Sequence, residues 1–202
     1  ERGNEVLGSL GYTDHSAAHA AKVADTAGQI LEKLGYSSRE AELSRIAGYM
    51  HDIGNSVNRC DHAHTGAVLG WQILRELGMP LKETAVIMSA VGNHDEKTGT
   101  AVDPISAALI LADKTDVRRN RVRNKVKASF DAHDRVNYAV LSSSLVIQKE
   151  KKVIQMELEL DDSMCSVMDY FEIFLERMLM CRRAAEVLGC RFKLTANGSK
   201  LC

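Results

Sequence analysis

The sequence predicts a mostly α-helical protein, an all-helical bundle over residues 1–137 followed by a small β-β-α-β appendage over residues 138–202. Three observations carry that expectation. Apolar residues recur every three or four positions through most of the first part. Only 2 prolines interrupt a chain rich in Ala, Leu, Glu, Lys and Met, all good helix formers. Near the C-terminus the period changes to two, with Ile154, Met156, Leu158 and Leu160 alternating against Val153, Gln155, Glu157 and Glu159.

The elements follow in order. Ala17, Ala20, Val23, Ala24, Ala27, Ile30, Leu31 and Leu34 make a helical stripe from about Thr13, capped by Thr13 or Asp14 and ended by Gly35. Ser37-Ser38 opens a second helix through Leu43, Ile46 and Met50, which stops at His51-Asp52-Ile53-Gly54. A third runs roughly from His64 to Leu77 and breaks at Gly78-Met79-Pro80, and a fourth spans about 81–93. A fifth begins near Pro104 and passes through Asp113, and the charged stretch from Lys114 to about Phe130 reads as helical too. In the appendage, strands at 145–147 and 153–160 flank the polar turn at 148–152. A helix over about 163–188 and a strand over 190–194 come next, with a turn at Asn197-Gly198.

Composition excludes several classes. A net charge of −1 argues against an electrostatically driven nucleic-acid or membrane binder. No apolar run is long enough to span a bilayer, and no basic-then-apolar signal stretch opens the chain. The 5 cysteines are odd in number and lack Cys-x-x-Cys spacing, so a disulfide framework or closed zinc site is not expected. A reducing, cytoplasmic setting fits that usage.

The histidines carry the chemistry. Six of the 7 lie before residue 95, at helix ends or on helix faces. His15 and His19, four apart, share one side of a helix. His51 and Asp52 are adjacent at a helix end, His62 and His64 open the next helix, and His94, Asp95 and Glu96 close another. Asp113 follows the apolar run 107–112, where a carboxylate is costly unless paired or bound to a cation. Imidazoles and carboxylates from several helix ends suit one or two divalent ions. Mixed N/O donors favour Fe, Mn, Co, Ni or Zn, and Mg prefers oxygen-rich sites.

Several residues keep two readings. His15 serves as an ordinary helix-start residue or as a functional one, and His64 reads more readily as solvated than as a ligand. Asp95 is a ligand, a general base or a helix-end residue. The basic run from Arg118 to Lys127 is a solvated face or a phosphate-facing one. His133 reads as structural, and Met164, Met168, Met178 and Met180 as core filling.

The ordered series His19-x-x-x-Val23, His51-Asp52-Ile53-Gly54, His62-x-x-x-Gly66, Asn93-His94 and Ala112-Asp113 resembles the HD-domain superfamily of metal-dependent phosphohydrolases, over roughly residues 13–123. The resemblance implies an all-helical fold with a mono- or dinuclear site that hydrolyses phosphate esters, often of nucleotides. It implies His19, His51, Asp52 and Asp113 as core metal ligands, with Asp52 bridging if two ions bind, and His62 and His94 as ligands of a second ion. His19 matches the family's first histidine because it stands four residues before Val23, which leaves His15 to contact substrate phosphate. Residues 112–119 resemble the stretch after the last ligand in branches acting on dinucleoside polyphosphates, so Lys114, Arg118 and Arg119 are candidate phosphate clamps. Asp52, His94 and Asp95 are the candidate catalytic groups. The chain departs from the cyclic-dinucleotide branch: Asn55 stands where a lysine is usual, Asp95 follows His94, and no Gly-Tyr-Pro occurs.

The expected function is hydrolysis of a phosphate ester or anhydride, of a small nucleotide substrate, by metal-activated water. The alternative is a metal- and nucleotide-sensing module without turnover. RNA cleavage is disfavoured at this stage by the near-neutral charge and the lack of an aromatic-basic stripe. The appendage has no assigned role beyond a strand edge that offers a route to a homodimer.

Overall fold

The structure, a computed structural model, describes residues 1–201. The helices are α1 (Arg2–Ser9), α2 (Ala17–Leu34), α3 (Ser38–Met50), α4 (His62–Glu76), α5 (Leu81–Gly92), α6 (Pro104–Lys114), α7 (Ala132–Ala139) and α8 (Val167–Val187). The strands are β1 (Val140–Gln148), β2 (Val153–Leu160), β3 (Arg191–Ala196) and β4 (Ser199–Lys200). The mostly helical class with a C-terminal sheet is as the sequence predicts.

Local chemistry sets the ends. Ser37 and Glu40 form a reciprocal capping box at α3, and Gly35 takes the left-handed conformation that ends α2. Asp103 and Ser106 box the start of α6, with Pro104 in the first turn where its missing N–H costs nothing. Residues 105–112 of α6 are all buried, because α2, α3, α5 and α8 pack around it. A helix apolar all round belongs at the centre of a bundle, and this one delivers Asp113 to its own C-terminal end.

Two expectations are corrected. The stretch from Lys114 to Phe130 is not a helix: α6 stops at Lys114, and only short 3-10 turns at Arg119–Arg121 and Lys127–Ser129 follow. The run has no apolar stripe of helical period. Its arginines bond to distant elements instead, Arg119 to Tyr138, Arg121 to Asp14, Arg123 to Tyr12 and Asn4. The helix placed from Thr13 starts at Ala17, and a helix precedes it. That helix, α1, buries a single side chain, Leu7, and packs on the 3-10 turn Ile53–Ser56. So short a helix depends on tertiary packing rather than propensity.

The sheet order is β1-β2-β3-β4. β1 and β2 are antiparallel with an irregularity between Val140 and Ser142, β2 and β3 are parallel across α8, and β3 turns into β4 at Asn197-Gly198, both at positive φ. Ile154, Met156, Leu158 and Leu160 point into the core, each worth about 1.5–3 kcal/mol when fully buried. Their neighbours Gln155, Glu157 and Glu159 face outward. The core is one continuous cluster that includes Leu109 and Leu111 of α6, Phe174 and Cys181 of α8, and Leu194 of β3. Among the described residues no helix is long and apolar enough to cross a membrane.

Candidate metal centre

Five imidazoles and two carboxylates meet where the N-terminal end of α2 approaches the C-terminal ends of α3, α5 and α6 and the start of α4. Gly54 makes the approach possible: a Cβ there would overlap the carbonyl oxygen of His62 and lie 2.6 Å from the Gly66 nitrogen. The glycines of the His-Asp-x-Gly and His-x-x-x-Gly elements therefore let two backbones touch.

Each imidazole is held in the same way. The Nδ1 of His19 donates to Asp116 Oδ2 at 2.8 Å. Those of His51, His94, His62 and His15 donate to the carbonyls of Gly48 (2.7 Å), Val91 (2.6 Å), Arg59 (3.1 Å) and Thr13 (2.7 Å). With Nδ1 engaged in this way each Nε2 points inward, where in the neutral ring its lone pair is the one offered to a metal, the arrangement usual for metal-binding histidines.

The Nε2 atoms face the two oxygens of Asp52 separately. Oδ2 lies 3.1 Å from His51 Nε2, 3.8 Å from His19 Nε2 and 4.0 Å from His15 Nε2. Oδ1 lies 3.7 Å from His62 Nε2 and 4.0 Å from His94 Nε2, and Asn55 donates to it at 2.7 Å. Asp113 Oδ1 completes the first group, 3.4 Å from His19 Nε2 and 3.6 Å from His51 Nε2. His19, His51 and Asp113 form one set close enough to share an ion, and His51, Asp52 and His94 another.

The electrostatics ask for a cation. Burial opposes charge on Asp52 and Asp113, yet His51 beside the first and Lys114 beside the second outweigh it, holding both carboxyls well below the ordinary range. Burial likewise opposes charge on His51, and the pull of Asp52 and Asp113 overrides it, raising that imidazole to about 10. His19 Nε2, His51 Nε2 and Asp52 Oδ2 are buried without a hydrogen-bond partner. Buried polar atoms are normally satisfied, so three orphans aimed at one point, with mixed N/O donor chemistry, fit a divalent transition metal.

His19, His51, Asp52, His62, His94 and Asp113 are thus brought together. His15 joins them, its Nδ1 donating to the Thr13 carbonyl and its Nε2 lying 4.0 Å from Asp52 Oδ2. Burial, only partly offset by Asp52, pushes its imidazole down to about 4. Lys114 is buried with Nζ 2.7 Å from Asp113 Oδ2. Arg118 turns to Asp116, its Nε 2.7 Å from Oδ1. Arg119 is directed elsewhere, stacking on the Tyr138 ring and pairing with Asp161 at 3.1 Å. Asp95 is half-buried beside the second group, where burial and the Arg59 cation hold the His62 imidazole below its ordinary range despite the nearby charges of Asp52 and Asp95. His64 is exposed.

Sequence reasoning gave three residues no role at the site. Asp116 orients His19 and gathers Lys22 (2.9 Å), Arg118 and Arg121. Asn55 holds Asp52, and Arg59 reaches His62 Nε2 at 3.3 Å. The spacing of Asp116, three residues after Asp113, was the one available signal.

Comparison with known proteins agrees with this geometry. The HD domain family matches residues 17–139, more than half of the chain. An uncharacterised protein of Methanocaldococcus jannaschii, MJ1020, is 30% identical over 180 residues, covering 78% of this chain and 68% of that protein. Ribonuclease Y of Oceanobacillus iheyensis is 29% identical over 131 residues (61% of this chain), and that of Thermotoga petrophila 25% identical over 174 residues (82% of this chain). The chain spans only 24% and 33% of those two ribonucleases. On the family match and the site together, the chain belongs to the HD domain family of metal-dependent phosphohydrolases.

Proposed function

We propose that this chain is a phosphohydrolase that cleaves a phosphate ester or anhydride of a nucleotide. The observation that supports it is the division of Asp52, with three imidazoles facing one oxygen and two facing the other. His19, His51, Asp52 and Asp113 would hold one divalent ion, with His15 alongside, and His62, His94 and Asp52 a second. Such ions acidify water and neutralise phosphate charge. The chain's own groups do the rest. Asp116, Gly48, Val91 and Arg59 fix the imidazole tautomers, Lys114 holds the Asp113 carboxylate and offers charge to a phosphate, and Asp95 stands beside the second group to take a proton.

A second reading is cleavage of an RNA phosphodiester, favoured by the likeness to ribonuclease Y chains from several bacteria. One experiment decides between them: metal analysis of protein purified without chelator, with a product screen over mono-, di- and dinucleoside polyphosphates and single-stranded RNA in Mn, Co, Fe and Mg. Metal at about one equivalent or more with turnover of nucleotides supports the first reading, and turnover of RNA alone supports the second. Bound metal without turnover of any substrate would leave a sensing module, and Asp52→Ala that keeps full turnover would sink the assignment.

A further inference from the structure

The exposed face of the C-terminal sheet carries a groove of about 450 Å³ lined by Gln148, Lys151, Val153, Gln155, Arg191, Lys193, Thr195 and Lys200. Four of these are cations and none is acidic. None of Lys151, Arg191, Lys193 and Lys200 has an ion-pair partner among the described residues. That is usual for this chain's lysines but not for its arginines, most of which are paired, so Arg191 is the distinctive member.

Topology concentrates the charge. Arg191 and Lys193 are two apart on β3, so both project from the same face, roughly 6.6 Å apart along the strand. They lie beside Val153 and Gln155 of β2, while Lys200 of β4 pairs with Thr195 and Lys151 stands in the turn between β1 and β2. Gln155 and Thr195 stand between the cations. The one neighbouring carboxylate, Glu157, accepts from Gln155 at 3.0 Å at the groove's edge. Four cations against one acid leave a net positive face suited to an anion with several charges.

Position narrows the ligand. The turn at Lys149–Lys151 lies against Gly35, at the end of α2 remote from His19. Sixteen residues of helix separate His19 from Gly35, about 24 Å at 1.5 Å per residue. A mononucleotide at the metal centre does not reach that far, and a polymer does. The groove has no aromatic residue for base stacking, so it recognises backbone charge rather than bases.

We propose that this groove binds the phosphate backbone of a single-stranded nucleic acid, without sequence preference. The inference rests on the reading in which the metal centre acts on a nucleic-acid strand long enough to span both places, and its test reads binding apart from cleavage.

The test is fluorescence anisotropy of a labelled oligo-uridine strand with the full chain in chelator, which prevents cleavage, over a salt series. Single-strand binding weakens with a slope of about −0.7 in log K against log salt per neutralised phosphate, so four cations give at most about −2.8. The Arg191→Gln, Lys193→Gln double variant should flatten the slope by about 1.4 and weaken binding more than tenfold, at unchanged melting temperature. A charge-matched control at exposed sites elsewhere, Lys33→Gln with Lys82→Gln, should leave the slope alone. Equal binding by the double variant and wild type would overturn the proposal. So would displacement by poly-aspartate as effective as by unlabelled strand, which would mark an acidic polypeptide as the partner. Loss of a self-associated form in the double variant with strand binding intact would overturn it in favour of a second copy.

Discussion

The Nδ1 of His19 and the Oδ2 of Asp116 lie 2.8 Å apart, although 97 residues separate them in the chain. Asp116 is buried and its carboxyl is held below the ordinary range. Burial alone would raise it, and the bond from His19 with the cations of Arg118, Arg121 and Lys22 overcomes that. A permanently charged acceptor behind an imidazole fixes its tautomer and raises its basicity toward a metal. Asp116→Asn keeps size and shape and removes the charge. Metal affinity should fall by about 10–100-fold, the usual cost of losing such a partner, as read by calorimetric titration with Mn. Affinity within twofold of wild type would show that Asp116 serves only to anchor the cations around it.

Two glycines of the same region should respond in opposite directions. Gly54→Ala drives a methyl into the backbone of α4, and overpacking of this kind costs about 1–3 kcal/mol. At about 2–4 °C per kcal/mol for a chain of this size, the melting temperature should drop measurably. Metal affinity should fall with it, since His51-Asp52 and His62 move apart. Gly70, inside α4, has room: its Cβ would meet Met50 Cε at an ordinary 3.5 Å. Gly70→Ala should stabilise by about 0.4–1 kcal/mol. A stable, metal-binding Gly54→Ala protein would refute the close-approach argument.

The residues legible in the sequence were those whose chemistry clashes with their surroundings. Asp113 stood out because it ends an apolar run, and His51-Asp52 because a charged pair sits at a helix stop. Asp116, Asn55 and Arg59 were not legible, because each acts through a partner whose proximity only the fold creates. His15 was found, but the hydrogen bond that orients it, from its Nδ1 to the Thr13 carbonyl, is a detail that spacing does not show. The basic run after Asp113 was read as a helix because its composition suits one. Its shape is set by Arg119, Arg121 and Arg123 bonding across the molecule.

Thiol reactivity offers an independent check on the packing. Cys60 is exposed in the loop before α4, while Cys165, Cys181 and Cys190 are buried. Burial pushes the Cys181 thiol up to about 12 and raises the other two buried thiols as well. The thiolate is the nucleophile, so these three should resist attack. Brief alkylation of folded protein at pH 8, followed by peptide mapping, should label Cys60 well ahead of Cys165, Cys181 and Cys190; Cys202 lies outside the described residues. Early labelling of Cys181 would mean that α8 does not close over α6 as described.

Arg119 and Lys114, both candidate phosphate clamps, should answer differently to substitution. Arg119 is about one-third exposed and ties the loop after α6 to Tyr138 and Asp161. Such partly solvated pairs are worth up to about 1 kcal/mol, so Arg119→Ala should lose a little stability and leave kcat/KM within twofold. Lys114 is buried, and its ammonium touches a proposed ligand carboxylate at 2.7 Å. A hydrogen bond to a charged group is worth about 1.5–3 kcal/mol, which corresponds to roughly ten- to hundredfold in rate. Lys114→Ala should therefore cut kcat/KM by that factor on whichever substrate the screen identifies. Steady-state kinetics on both variants reads the difference, and the reverse ranking would favour Arg119 over Lys114 as the proposed phosphate contact.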